Sequence, residues 1–263
     1  MAERPIQGPN AGDPFAAVAG LPGIAEAVAE ARAAVDGLRG HRVLRSSAEK
    51  VTAESMLRGA RASAALEAAD LPLEVVRRTV RASGHLPESG GPVVEGALRV
   101  ATEVGALQET WRRAPLQVFA RLHSLAAAGQ VPDDELGRPR PEAAARLAEL
   151  AGLLATPTQA PALVVSAVVH AEVVTTRAFA VAGGVVARAA GRLVLITRGL
   201  DPAAISVPEV GFAELGQQAY AAALDAYAAG GHGVAAWVRH CAEAVVLGAR
   251  EGVAVCEAIQ RGA

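Results

Sequence analysis

The sequence predicts an all-α fold, on three observations. Apolar residues recur with helical spacing in nearly every segment between Pro- and Gly-rich breaks. Alanine is the commonest residue and aromatics are only 3%, a composition suited to helices packed at close range. No convincing pair of strands stands anywhere in the chain.

Each element can be taken in order. The opening MAERPIQGPNAGDP is polar and rich in Pro and Gly, so residues 1–15 are expected to be a flexible lead-in with no signal peptide. GIAEAVAEARAAVDGLRG is an amphipathic helix stopped by Gly40. AEKVTAESMLRGARASAALEAAD is a second, long helix that ends before Leu71-Pro72. Asp70 is placed to cap PLEVVRRTVRAS, with Pro72 early and Glu74 in the first turn. SGHLPESGGP is a loop, after which VVEGALRVATEVGAL resumes helix. APLQVFARLHSLAAAG is another helix, followed by the connector VPDDELGRPRP. EAAARLAELAGLL and PALVVSAVVHAEVV precede a helix that opens on Gly183-Gly184. GFAELGQQAYAAALDAYAAG and HGVAAWVRHCAEAVVLGAREGVAVCEAIQ close the chain, giving about ten helices.

Composition excludes several function classes. With 263 residues, 52% hydrophobic and 20% charged, the chain buries a large core and is not disordered. A net charge of −2 argues against electrostatic binding of nucleic acid. The longest uncharged run, 151–171, contains Pro157, Pro161 and His170, so no bilayer span is expected. Lys50 is the only lysine, which points to the codon bias of a high-GC bacterium. Cys241 and Cys256 read as small core residues in a reducing, cytoplasmic compartment. The six histidines have no metal-ligand spacing, and adjacent His240 and Cys241 point too far apart on a helix for a nucleophile–base pair. Trp111, Phe119, Trp237, Tyr220 and Tyr227 read as core packing, and Arg77-Arg78 and Arg112-Arg113 as solvated faces.

The chemistry-bearing stretch runs from His170 to Leu195. An apolar segment enters the small loop Ala-Val-Ala-Gly-Gly, and a helix leaves it carrying Arg188 and Arg192 one turn apart. Free N–H groups at a helix start, glycines that allow close approach and nearby arginines are the elements of an anion site. A nicotinamide oxidoreductase is the rival reading, with RLVLITRGLD as a strand beside a dinucleotide turn. The order is wrong, since such a turn follows its strand, carries G-x-G-x-x-G and lies in a βαβ unit.

This stretch resembles the Fic (Fido-domain) family of nucleotidyl and phosphoryl transferases. The family signature reads H-P-F-x-[D/E]-G-N-G-R-x-x-R, after a helix ending roughly in H-x-x-[FL]-x-x-I. Here His170 stands on the preceding helix, and the frame is Arg177-Ala-Phe-Ala-Val-Ala-Gly-Gly-Val-Val-Ala-Arg188, without insertion or deletion. Phe179 takes the anchoring aromatic, Gly184 the second glycine and Arg188 the final arginine. PLQVFARLHSLAAAG with GRPRP is similar to the family's Leu-His helix and the start of its flap. The Tyr- and Trp-bearing C-terminal helices are similar to the closing pair. Ser63-Ala-Ala-Leu-Glu67 matches the [S/T]-x-x-x-E of the inhibitory helix, with Ala68 where Gly or Asn usually follows. The resemblance covers about residues 55 to 250. It implies a Fido-like helical bundle around a central helix near 184–199. Residues 16–109 would then form N-terminal helices, including an inhibitory-type helix over 55–69, and residues 110–263 the Fido-like core.

The departures decide what the resemblance implies for function. Arg177 replaces the motif histidine that serves as general base, and a guanidinium stays protonated. Val181 replaces the acid that holds Mg²⁺ and offers a hard cation no ligand. Gly183 and Val185 replace the Asn and first Arg that contact phosphate. The connector before Glu142 is too short for the flap hairpin that aligns a target side chain. Loss of a positioned base alone costs about 10²–10⁴-fold.

What survives is a candidate cofactor-binding set of Gly183, Gly184, Arg188 and Arg177, with Glu67 facing Arg188. Glu67–Arg188 is either a salt bridge closing the core or a contact that a nucleotide or other anion displaces. His170 is a core histidine or a helix-capping group, or a substitute base if its helix bends toward Arg177. The expectation is a degenerate Fic protein with no catalytic residue and no metal site, acting as a nucleotide- or anion-binding or regulatory module. ATP or another nucleotide is the candidate ligand, Mg²⁺ is not expected, and a protein partner or an oligomer stays open. The alternative is an enzyme with altered chemistry, either a reprogrammed Fic-type nucleotidyltransferase or a nicotinamide-dependent oxidoreductase.

Overall fold

The computed structural model describes residues 12–262, so most of the predicted lead-in lies outside the described residues. Its last residues are ordered into structure, contrary to expectation. The Asp13 carboxylate accepts the N–H groups of Phe15 (3.0 Å) and Ala16 (3.2 Å), which caps α1 (Pro14–Ala19) and seats Phe15 in the core.

Helix α2 (Ile24–Arg39) stops at Gly40, as the sequence predicts. Helix α3 (Leu44–Ala65) ends earlier than the predicted span over 55–69. Ala68 turns left-handed at φ +62°, and the Ala69 N–H returns to the Ala64 carbonyl at 3.0 Å. Ser63 therefore lies on the last helical turn and Glu67 in the turn beyond it. Helix α4 (Leu73–Arg81) starts without a side-chain cap, because Asp70 pairs with Arg61 instead.

Helices α5 (Gly91–Glu103), α6 (Gln108–Arg113) and α7 (Pro115–Ala127) follow, with the α6–α7 break at Ala114, which Pro115 keeps out of helical geometry. A 3₁₀ turn at Asp133–Glu135 fills the connector to α8 (Pro141–Ala155). Helix α9 (Ala162–Thr175) and α10 (Gly183–Thr197) pack side by side, with Ser166 Oγ donating to the Gly191 carbonyl at 2.9 Å. The RLVLIT stretch forms the last turns of α10, so the strand it would have needed for a dinucleotide-binding unit does not exist. The segment read as one helix from residue 211 divides into α11 (Pro208–Leu215) and α12 (Gln217–Ala229) at Gly216, whose φ of +95° no helix accommodates. Helix α13 (His232–Gln260) is the longest.

The order of thirteen α-helices among the described residues, with no β-strand, makes the fold all-α. Helix α10 stands between two apolar cores. One gathers Trp111, Phe119, Leu122 and Leu193; the other gathers Leu38, Leu163, Phe212 and Trp237. Both cores draw on residues from before and after position 109, and α3 contributes to each. Burial at this scale, about 1.5–3 kcal/mol per large side chain, fixes α3 against α10 and so fixes the two halves of the candidate site. No helix among the described residues is long and apolar enough to cross a membrane. Cys241 and Cys256 are buried and unpaired.

Candidate functional site

Helix α9 ends by the same device as α3. Arg177 takes a left-handed φ of +49°, its N–H reaches the Val174 carbonyl, and the Ala178 N–H reaches Val173. The loop 176–182 then crosses to α10. Phe179 anchors it from inside: buried to 5% exposure, its ring stacks on His123 with centroids 4.3 Å apart. His123 Nδ1 in turn accepts the Gly137 N–H at 3.0 Å, and the Arg140 N–H donates to the Ala178 carbonyl at 2.9 Å. The short connector thus packs directly on the motif loop, and no hairpin forms there among the described residues.

Helix α10 starts from Ala182, which holds φ +57° at the position of the signature's first glycine. The two glycines that follow are not equivalent. A Cβ on Gly183 would meet nothing within 4 Å, whereas one on Gly184 would lie 2.0 Å from Glu67 Oε1. The Glu67 carboxylate therefore rests against the first turn of α10, where the helix dipole favours negative charge.

Arg188, one turn further, is turned inward and its side chain is 1% exposed. It donates from Nε to Ser63 Oγ (2.8 Å) and from Nη2 to the Ser63 carbonyl (2.9 Å) and Glu67 Oε1 (2.8 Å). Its Nη1 donates to Tyr220 Oη at 3.2 Å. Tyr220 Oη lies 2.6 Å from His170 Nε2, and one donor order satisfies the whole chain: Arg188 to Tyr220, Tyr220 to His170. Burial drives the His170 imidazole well below its usual range, with the Arg188 charge adding to the effect, so His170 is neutral and accepts. Burial likewise pushes the Tyr220 hydroxyl up to about 12. Burial alone would lower the Arg188 guanidinium, but Tyr220 and Glu67 hold it above its ordinary value.

The structure brings Ser63, Glu67, Gly184, Arg188 and His170 together and leaves Arg177 out. Arg177 is exposed and makes no ion pair or side-chain hydrogen bond among the described residues. Gly183 borders the loop but touches none of these groups. His170 serves the core and does not approach Arg177, since α9 runs unbent to Thr175. Arg192, one turn further on the same face of α10, is also turned toward α3 but answers to different partners. It donates twice to the Ser206 carbonyl (2.9 and 2.8 Å) and pairs with buried Glu209 at 3.3 Å. Tyr220 is the site residue the sequence did not single out, because an aromatic at helical spacing carries no mark of what its hydroxyl will reach.

The hollows that touch Arg188 measure about 30 and 20 Å³, room for one water molecule each. The donor set does not fit Mg²⁺: the Val181 side chain has no oxygen to give, and Glu67 is held by Arg188. No group of three His, Cys, Asp or Glu among the described residues could hold a metal ion.

No family model matches the sequence, and no curated protein matches it either. Solved structures do match. A Fic family protein from Desulfovibrio desulfuricans G20 superposes with a TM-score of 0.74 at 21% identity, over 89% of this chain and 75% of that one. Fic-1 from C. elegans superposes with a TM-score of 0.70 at 17% identity, over 88% of this chain and 70% of that one. The chain has the Fic fold. A single-substitution form of the same Fic-1 fragment gives 0.71 at 16% identity. At these identities the likeness establishes the architecture, and the Fic-fold site is read from its own side chains.

Proposed function

We propose that this chain is a Fic-fold protein that transfers no nucleotide and acts as an anion-responsive binding module. One observation carries the reading: the carboxylate of the chain's own Glu67 rests against the start of α10, where the helix dipole favours an anion, and bonds a buried Arg188. The rim supports it. Where the Fic signature has its general base the chain has a permanently protonated Arg177, and where it has its metal acid the chain has Val181. An external anion reaches Arg188 by displacing Glu67, whose side chain is 29% exposed and so has solvent to move into. Gly183 and Gly184 then offer N–H groups at the helix start. Nucleotide phosphate is the ligand class that fits these groups.

The test is calorimetric titration of the full chain with ATP, ADP and AMP, with and without Mg²⁺, alongside Glu67→Ala and Arg188→Ala. Micromolar binding that tightens in Glu67→Ala, disappears in Arg188→Ala and ignores Mg²⁺ is the expected result. If Glu67→Ala binds none of the three, Glu67–Arg188 is a structural bridge and the anion reading fails. Transfer of labelled AMP from ATP onto protein would overturn the non-transferring reading in favour of a reprogrammed transferase.

A further inference from the structure

Away from the motif loop, the surface between α3, α4 and α5 opens into a groove of about 460 Å³, large enough for a small ligand. Its walls are apolar: Met56, Leu57, Leu98 and Ala101 line it, and Val80, 50% exposed, overhangs one edge. A second hollow of about 450 Å³ adjoins it and shares Lys50, Glu54, Arg77 and Arg81 at the common rim. The charges at that rim do not cancel. Arg58 is held by Glu54 and Glu251, and Arg77 by Glu54 and Glu74. Lys50 and Arg81 are exposed and make no ion pair among the described residues.

An apolar hollow with two cations free of ion pairs at its mouth, in a rim where four cations (Lys50, Arg58, Arg77, Arg81) outnumber three carboxylates (Glu54, Glu74, Glu251), is complementary to an amphiphile of opposite sign. We propose that this groove binds a single-chain amphiphile with an anionic head, its tail against Met56, Leu57 and Leu98 and its head at Lys50 and Arg81. The tail removes Val80 and the groove walls from water, which supplies the driving force. The head exchanges hydration for charge-assisted hydrogen bonds. Helix α4 forms one wall, seated on the core by Val76 and tied to α3 through Arg77 and Glu54. Met56 and Ala101 also border the small hollow beside Arg188, but none of the groove residues bonds to Arg188 or Glu67, so a loss of amphiphile binding and a loss of anion binding are told apart by their own variants.

The test is calorimetry on the full chain with dodecanoate kept below its micelle-forming concentration, and with dodecyl phosphate and dodecyltrimethylammonium as comparison probes. Micromolar binding of the anionic probes, with none of the cationic one, is expected, and the tighter of dodecanoate and dodecyl phosphate identifies the head. Lys50→Glu combined with Arg81→Glu should weaken binding about tenfold or more. Ala53→Trp, an exposed lining position, should abolish binding by filling the groove while circular dichroism and the melting temperature stay as in the parent. Equal binding of dodecyltrimethylammonium, or binding that survives both variants, would overturn the proposal. So would binding to anionic vesicles without binding of the monomeric probes, or dimerisation in sedimentation that Ala53→Trp abolishes, since a membrane or a second copy would then be the occupant.

Discussion

The Arg188 buttress and the loop from Arg177 to Ala182 belong to one motif and are built by opposite rules. At the buttress every polar group is answered, and all but the partly exposed Glu67 are buried: Ser63, Glu67 and Tyr220 consume the donors of Arg188, and Tyr220 is answered by His170. In the loop the backbone is held tightly by Phe179, His123 and Arg140, while the outward side chains Arg177 and Ala180 answer to nothing. A buried charge without partners costs several kcal/mol, so the residues around Arg188 are tied to folding itself. An exposed side chain on a fixed backbone is tied only to chemistry. Groups of the second kind can be exchanged without the fold registering it.

That contrast can be broken most directly by removing one arginine from each region. Arg188→Ala should lower the unfolding free energy by about 3–5 kcal/mol, because it orphans Ser63, Glu67 and Tyr220 and empties a buried position. Arg177→Ala should change it by no more than about 0.5 kcal/mol. Urea unfolding of the two variants measures both. Comparable losses would mean that Arg177 is part of the fold and that the loop was misjudged.

The two glycines sharpen the same point within one turn of helix. Gly184→Ala puts a methyl group 2.0 Å from Glu67 Oε1, so Glu67 must leave or α10 must shift. A loss of about 1–3 kcal/mol is expected, of the order of overpacking in a core. Gly183→Ala meets nothing and should be neutral or add up to about 1 kcal/mol. If Glu67 is what Gly184 accommodates, Glu67→Ala should erase most of the Gly184→Ala loss in a double-mutant cycle.

Much of this was legible before the structure. Helix periods and the Gly40 stop predicted the elements, and in the stretch from Arg177 to Arg188 the structure has Phe179 in the loop and Gly184 and Arg188 in the first turns of α10. Ser63 and Glu67 were legible because their partner sits at a fixed place in a linear motif. Tyr220 was not, because it lies 32 residues from Arg188 and 50 from His170, and only the fold joins them. Asp70 looked like a helix cap because local pattern alone cannot reveal that Arg61 would claim it. Nor does a Gly-Gly pair disclose which member faces a carboxylate.

Acid should act on the buttress and spare the loop. The folded His170 imidazole is pushed well down by burial, while the unfolded chain binds its proton near pH 6.5. Below that pH the unfolded state holds the extra proton, so stability is present above about 6.5 and falls with acidity. The slope is about 1.4 kcal/mol per pH unit for each such histidine. Burial lowers His123 and His240 in the same direction, so the parent should show a slope from all three. His170→Gln should remove one proton's share of it. A parent curve that is flat between pH 6.5 and 5 would mean that His170 titrates freely and that the Tyr220 relay is open to water.

The smallest effect concerns the backbone alone. Ala68 and Ala182 hold φ of +62° and +57°, a region that costs an alanine about 1–2 kcal/mol. Both stand where the Fic pattern has glycine, or glycine or asparagine. In each case an alanine holds a conformation that suits glycine better. Ala68→Gly and Ala182→Gly should therefore each stabilise the chain by about 0.5–1 kcal/mol, less than the relieved strain because glycine loses more freedom on folding. Thermal unfolding of the two variants reads this directly. Ala68→Gly bears on the buttress, since that turn delivers Glu67 to Arg188, and Ala182→Gly bears on the loop. A gain at one and a loss at the other would say that only one of the two turns is strained by its alanine, and which one.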